Sequence, residues 1–203
     1  MDLLTTIAIC SMFHSNATVN AIIQTGSKNQ ALAITTLSAN NDLLAPLKNF
    51  KTLAQASDYA KQQLAQGNHV EIGMMQIPSG WLDPLSKRGI SLDDLLMPCK
   101  NVVVGSDLLT QADAYCATQT STPAAQARCA LSVYKTGSVS KGLSYAEKIL
   151  QYAAIHPVKI SSKETHAADE SELDYDTELA LPIPDFAINS DKEGASNHDQ
   201  NNS

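Results

Sequence analysis

Apolar residues recur at intervals of three or four positions in several stretches of this chain, a spacing that predicts amphipathic helices. The clearest stretch covers residues 51–66, where Leu53, Ala56 and Leu64 share one face and Gly67 provides a natural stop. Shorter stretches with the same spacing cover residues 14–24, 124–134 and 144–154. The pattern therefore predicts a mainly α-helical domain.

A further helix is expected to begin at Asn101, because an asparagine side chain can accept a hydrogen bond from the first turn of a helix. Val104, Leu108, Ala112 and Tyr115 follow at helical spacing and would form one face of it. Two segments of different character precede this helix.

Two segments lack the helical spacing, and for them we expect irregular backbone and almost no strands. They cover residues 34–49, which are rich in Thr, Asn and Ser, and residues 68–84. Irregular segments held by a rigid scaffold carry functional side chains more often than the scaffold does. Both segments are therefore places to look for a site.

Charge divides the 203 residues into two parts. Residues 1–159 contain 12 Lys and Arg against 10 Asp and Glu, whereas residues 160–203 contain 2 Lys against 11 Asp and Glu. We expect one domain over residues 10–157 and a disordered acidic tail over residues 158–203, because so polar a segment cannot bury enough surface to order itself. The only apolar cluster of the tail, residues 179–188, is either a docking peptide or a plain linker remnant.

Charge and hydropathy also exclude two classes of protein. The net charge of -7 argues against a nucleic-acid-binding surface. No apolar run approaches the ~18 residues of a membrane-spanning helix, so we expect no stable membrane span. Residues 1–9 are apolar but lack a basic start, and they form a weak candidate export segment.

The four cysteines predict two disulfides in an oxidising compartment, with buried free thiols as the alternative. No CxxC or histidine-rich spacing is present, so we expect neither a metal site nor a cofactor. Of the three possible pairings we favour Cys116 with Cys129 and Cys10 with Cys99. Pro123 separates the first pair, at a point where one helix should end and the next begin, so facing turns could be bridged.

A series of short motifs makes the chain recognisable through its order and spacing. The motifs are Gly73-Met74-Met75-Gln76-Ile77, Pro98-Cys99-Lys100-Asn101, Gly105-Ser106, Tyr134-Lys135-Thr136-Gly137, Gly142 and Tyr145. The series resembles the lytic transglycosylases associated with type IV secretion systems, a branch of the lysozyme-like superfamily, over about residues 10–154. The resemblance implies a goose-type lysozyme-like domain, in the periplasm, that acts on peptidoglycan glycan strands with type IV secretion components as partners.

The resemblance also implies site residues. In the family, one glutamic acid protonates the leaving sugar oxygen, and a serine follows it. Here Gly26 stands at the glutamate position and Ser27 at that of the serine, while Lys135 replaces the usual asparagine after the tyrosine. The remaining substrate-binding positions implied by the family are Met75, Gln76, Tyr134 and Tyr145.

Glycine has no proton to transfer, and losing general acid catalysis reduces a rate by ~10²–10⁴-fold. We therefore expect a glycan cleft with impaired cleavage, room for a water at Gly26, and partial recovery in Gly26→Glu. Glu71 is the candidate substitute acid, with an exposed loop carboxylate as the alternative. Three functions stay open: a wall-cleaving enzyme, an inactive glycan-binding or scaffolding component of the secretion apparatus, and a carrier for a functional tail.

Overall fold

The computed structural model describes residues 16–157, where the chain forms six α-helices and four short strands. The candidate export segment, Cys10 and the acidic tail lie outside the described residues. In chain order the elements are α1 (Asn16–Thr25), β1 (Ala33–Leu37), β2 (Leu43–Asn49), α2 (Leu53–Ala65), β3 (His69–Ile72), β4 (Ile77–Pro78), α3 (Leu82–Lys87), α4 (Pro98–Ala117), α5 (Pro123–Thr136) and α6 (Leu143–Ile155). The expectation of a mainly helical domain is confirmed.

Capping residues explain where the helices begin and end. The Thr52 hydroxyl accepts a hydrogen bond from the Gln55 amide at the start of α2, and the Thr122 hydroxyl does the same for Ala125 at the start of α5. Gly137 ends α5 with a φ of 72°, a left-handed conformation that glycine adopts without steric strain. The sequence predicted α2, α5 and α6 to within two residues at each end.

The expectation of almost no strands is wrong, because both segments without helical spacing form a small antiparallel sheet. Its strand order is β2-β1-β3-β4, with Ile34 opposite Ile72 in the central pair. The alternation of apolar and polar residues that indicates a strand is weak here for three reasons. The β1–β2 register shifts twice, β3 buries a charged residue (Glu71), and β4 has only two residues.

The prediction that Asn101 caps a helix is also wrong. Helix α4 begins three residues earlier, with Pro98 in the first turn, where proline is favoured because its missing N–H needs no partner. Asn101 is instead fully buried. Its carbonyl oxygen accepts the Met75 amide at 2.7 Å, and its amide nitrogen donates to the carbonyls of Ile72 (3.0 Å) and Leu95 (2.7 Å). The side chain thus joins α4 to the β3–β4 turn.

The hydrophobic core lies between the sheet and the helices. Trp81 and Tyr134 are its largest fully buried side chains, and the Trp81 indole donates to the Tyr134 carbonyl at 3.0 Å. A disulfide joins Cys116 of α4 to Cys129 of α5, with 5.8 Å between their Cα atoms, as predicted. Cys99 is not a free thiol, but because Cys10 is outside the described residues, its pairing with Cys99 stays a prediction. None of the helices in the described part of the chain is long and apolar enough to cross a membrane.

Candidate functional site

A cleft of about 880 Å³ opens between the sheet and the α5–α6 corner. Its sheet side combines apolar and polar residues, and its helical side is mainly polar. The sheet side includes Leu37, Leu43, Val70 and Pro78, together with Thr35, Asn41, His69 and Glu71. The helical side includes Lys135, Thr136, Lys141, Ser144 and Tyr145. The volume falls in the range of ordinary small-molecule and sugar-binding pockets.

An ion pair joins the two sides of this cleft. Glu71 on β3 bonds to the ammonium of Lys135 in the last turn of α5. The Glu71 side chain is 7% exposed and that of Lys135 is 24% exposed, so the pair is largely removed from water. The same ammonium lies 5.0 Å from the centre of the Tyr145 ring, within the range of a cation–π contact.

Two phenols lie close to this ion pair, and both stay protonated over the usual pH range. Burial raises the pKa of Tyr134 well above its ordinary value, and the neighbouring Tyr145 and Glu71 add to the shift. Burial raises the pKa of Tyr145 as well, with a further contribution from the Glu71 carboxylate. These groups can donate hydrogen bonds, but they cannot act as proton-transfer groups near neutral pH.

Gly26 does not line the cleft, and the expected room for a water beside it is absent. A Cβ atom added to Gly26 would lie 2.8 Å from the Ile22 carbonyl oxygen and 3.0 Å from Cγ of Gln76. The Gln76 side chain therefore occupies the space next to the glycine. It is fixed there by the Thr35 hydroxyl, which donates to its Oε1 at 2.6 Å, and by its own donation to the Gly73 carbonyl at 2.8 Å.

Three other predicted positions, Ser27, Met75 and Tyr134, are buried and do not line the cleft. Ser27 is fully buried and its hydroxyl donates to the Ile23 carbonyl at 3.1 Å. Met75 and Tyr134 are also fully buried, and the Tyr134 hydroxyl donates to the Met75 carbonyl at 2.8 Å. Side chains with no exposed surface cannot contact a substrate in this conformation.

Of the predicted catalytic and substrate-binding residues, Glu71 and Tyr145 are the two that line the cleft. Sequence reasoning missed Lys135, Lys141 and His69 as lining residues, although Lys135 stood out as a departure from the family motif. No signal in the sequence indicated His69, because its position in the cleft depends on the pairing of β3 with β1. Glu71 is the one carboxylate among the described residues that line the cleft.

Comparison of the chain with protein-family models, with curated proteins and with solved structures finds no match.

Proposed function

We propose that this protein binds the glycan strands of peptidoglycan in the cleft and does not cleave them. The observation that carries the proposal is the ion pair in the cleft. The one carboxylate that lines it among the described residues, Glu71, is ion-paired with Lys135. Glycan cleavage needs a protonated carboxylic acid at the scissile bond, and hydrolysis by two carboxylates needs a second one.

The composition of the cleft supports sugar binding. Sugar rings present apolar faces and many hydroxyl groups, and the lining of the cleft combines apolar side chains with hydrogen-bonding ones. Its cationic members, Lys135 and Lys141, suit a glycan that carries carboxylates on its peptide stems. The motifs that resemble lytic transglycosylases supply the choice of peptidoglycan over other glycans.

The setting proposed for this binding is the periplasm, next to a type IV secretion or conjugation apparatus. The Cys116–Cys129 disulfide supports an oxidising compartment, where such bonds persist. The secretion components themselves enter only through the family resemblance. In this setting the protein would bind the peptidoglycan at the place where the secretion apparatus crosses the cell wall.

Co-sedimentation with purified peptidoglycan sacculi tests the binding. Ser144 is exposed and lines the cleft, so Ser144→Trp should fill the cleft without disturbing the core. Lys148→Trp is the matched control, because Lys148 is exposed one turn later on α6 and does not line the cleft. We expect the parent and the control to sediment with sacculi and Ser144→Trp to lose most of its binding. Equal sedimentation of the two tryptophan variants would contradict the proposal.

A second function, cleavage with Glu71 as the acid, is favoured by its place in the cleft. It requires Lys135 to release the carboxylate when the glycan binds. Glu71→Gln distinguishes the two functions. If the parent releases anhydro-muropeptides and Glu71→Gln does not, the protein is an enzyme and Glu71 is its acid.

A further inference from the structure

The rim of the cleft exposes apolar side chains that nothing in the described part of the chain covers. Leu43 is 63% exposed and lines the cleft, and its neighbour Leu44 is 55% exposed. Both lie at the start of β2, the strand at one edge of the sheet. Leu43 shares the lining of the cleft with Leu37 and Pro78, and an exposed leucine among other apolar residues offers a contact to a partner.

Charge is available on the opposite side of the same cleft. Lys141 is exposed and has no ion-pair partner among the described residues, whereas Lys135 is ion-paired with Glu71. A ligand for the whole cleft would therefore combine apolar side chains with negative charge.

The chain itself contains a segment of this composition. Residues 179–188 carry five large apolar side chains, and six acidic residues precede them directly. The apolar residues are Leu179, Leu181, Ile183, Phe186 and Ile188, and the acidic ones are Asp169, Glu170, Glu172, Asp174, Asp176 and Glu178. Apolar and acidic groups thus stand side by side in the segment, as apolar and basic groups do in the cleft.

The segment can reach the cleft from where the described chain ends. Helix α6 begins at the cleft, where Ser144 and Tyr145 line it, and its 13 residues span about 20 Å. The tether between the described chain and the segment, residues 158–178, has 21 residues, and a random-coil chain of that length has a root-mean-square span of about 25 Å. The tether is therefore long enough to return along α6, and it would hold the segment near the cleft at an effective concentration on the order of millimolar.

We propose that residues 179–188 dock in the cleft of the same chain, with their apolar side chains against Leu43 and the neighbouring sheet wall and the preceding acidic residues near Lys141. The docking is through side chains and not through addition of a strand. A proline has no backbone N–H to donate to a neighbouring strand. Pro46 lies within β2, and Pro182 and Pro184 lie within the segment, so hydrogen-bond donors are missing on both sides of a pairing between the segment and β2.

Site-specific photo-cross-linking in the full chain tests the docking directly. A benzophenone amino acid at position 186 should cross-link to peptides that contain residues 37–43 or 69–80, in a band of monomer size. The same probe at position 197 is the matched control and should give no such product. Absence of the product from position 186, or cross-links only in a dimer-sized band, would overturn the proposal.

Two further variants identify the forces. Leu43→Ser should reduce the yield of the cross-link at least about threefold, because it removes an apolar contact. Neutralising Asp169, Glu170 and Glu172 should reduce it more than neutralising Asp191, Glu193 and Asp199, which removes the same charge farther along the tail. An equal yield in all four proteins would contradict docking in this cleft.

A consequence for regulation rests on the proposed function. If the cleft binds glycan, a docked segment competes with it, and Leu181→Ser with Phe186→Ser should raise sedimentation with sacculi severalfold. The cross-link does not depend on glycan. A cross-link with no sacculus binding by either the parent or the Leu181→Ser, Phe186→Ser variant would therefore contradict the proposed function and leave the docking intact, and sacculus binding without a cross-link would do the reverse.

Discussion

The surroundings of Gly26 leave no space for a side chain. The nearest obstacles are the Ile22 carbonyl, which belongs to the backbone, and Cγ of Gln76, whose side chain is held by hydrogen bonds. A carboxylate at this position would have to displace Gln76 before it could reach the cleft. Restoring the acid that the family resemblance implies is therefore not a matter of one substitution.

This packing gives the first prediction. Gly26→Ala and Gly26→Glu should each lower the free energy of unfolding by about 1–3 kcal/mol, because overpacking a tight site costs this much. The two losses should be similar, since the clash begins at the Cβ atom that both side chains share. Urea denaturation followed by circular dichroism measures them. A Gly26→Glu protein as stable as the parent, with glycan-cleaving activity, would show that the site can open.

Asn101 provides the second prediction. Asn101→Ala removes a partner from the Met75 amide and from the carbonyls of Ile72 and Leu95, all at a buried position. Leaving buried polar groups without partners costs about 1–3 kcal/mol each, so we expect a loss of about 3 kcal/mol or more. Asn68→Ala is the control, because Asn68 makes one side-chain bond, to Gln63 near the surface, and should lose less than about 1 kcal/mol. Similar losses in the two variants would contradict the role of Asn101.

Part of the site was readable from single residues and part was not. Glu71 stands out in the sequence because residues 1–159 contain only two glutamates and this one precedes a recognisable motif. Its ion pair with Lys135 could not be predicted, since the two residues are 64 positions apart and meet only through the packing of β3 against the end of α5. The burial of Met75 and Tyr134 likewise depends on tertiary packing.

At the scale of elements, helices with caps were predictable and short strands were not. Thr52, Gly67 and Pro123 mark helix ends by local chemistry that the sequence displays. The strands depend on partners: β4 has two residues and exists only because β3 lies beside it. Pro98 was a local signal for the start of α4, and it would have corrected the assignment of Asn101 as a cap.

The link between α4 and α5 gives the third prediction. The disulfide closes a loop with a sequence separation of 13, for which the chain-entropy model gives a stabilisation of about 3 kcal/mol. The double variant Cys116→Ala, Cys129→Ala should lose about this much free energy of unfolding while keeping its helical circular dichroism. The parent without reductant is the reference, because reduction would also open the bond of Cys99. Unchanged stability would mean that the packing of α4 on α5 suffices.

Buried phenols affect the whole molecule through the pH dependence of its stability. The pKa values of Tyr134 and Tyr145 are raised in the folded state, so both stay protonated while an unfolded tyrosine ionises near pH 10. The contribution of these two tyrosines to the free energy of unfolding is fully present below pH ~10. Above that pH it falls by about 1.4 kcal/mol per pH unit for each tyrosine, because the tyrosine loses its proton in the unfolded chain and keeps it in the folded one. Tyr134→Phe should therefore make the free energy of unfolding fall less steeply between pH ~10 and ~11.5. The difference in slope should correspond to the release of about one proton on unfolding. The same slope in both proteins, from urea titrations at each pH, would contradict this assignment.

The central claim about the whole molecule is that the cleft holds glycan and lacks a working acid. The most direct measurement is mass spectrometry of the soluble products from purified sacculi incubated with the full chain, beside an active lytic transglycosylase as positive control. We predict that the protein remains bound to the sacculi and that anhydro-muropeptides do not rise above those in buffer alone. Sustained release of anhydro-muropeptides by the unmodified protein would contradict the claim.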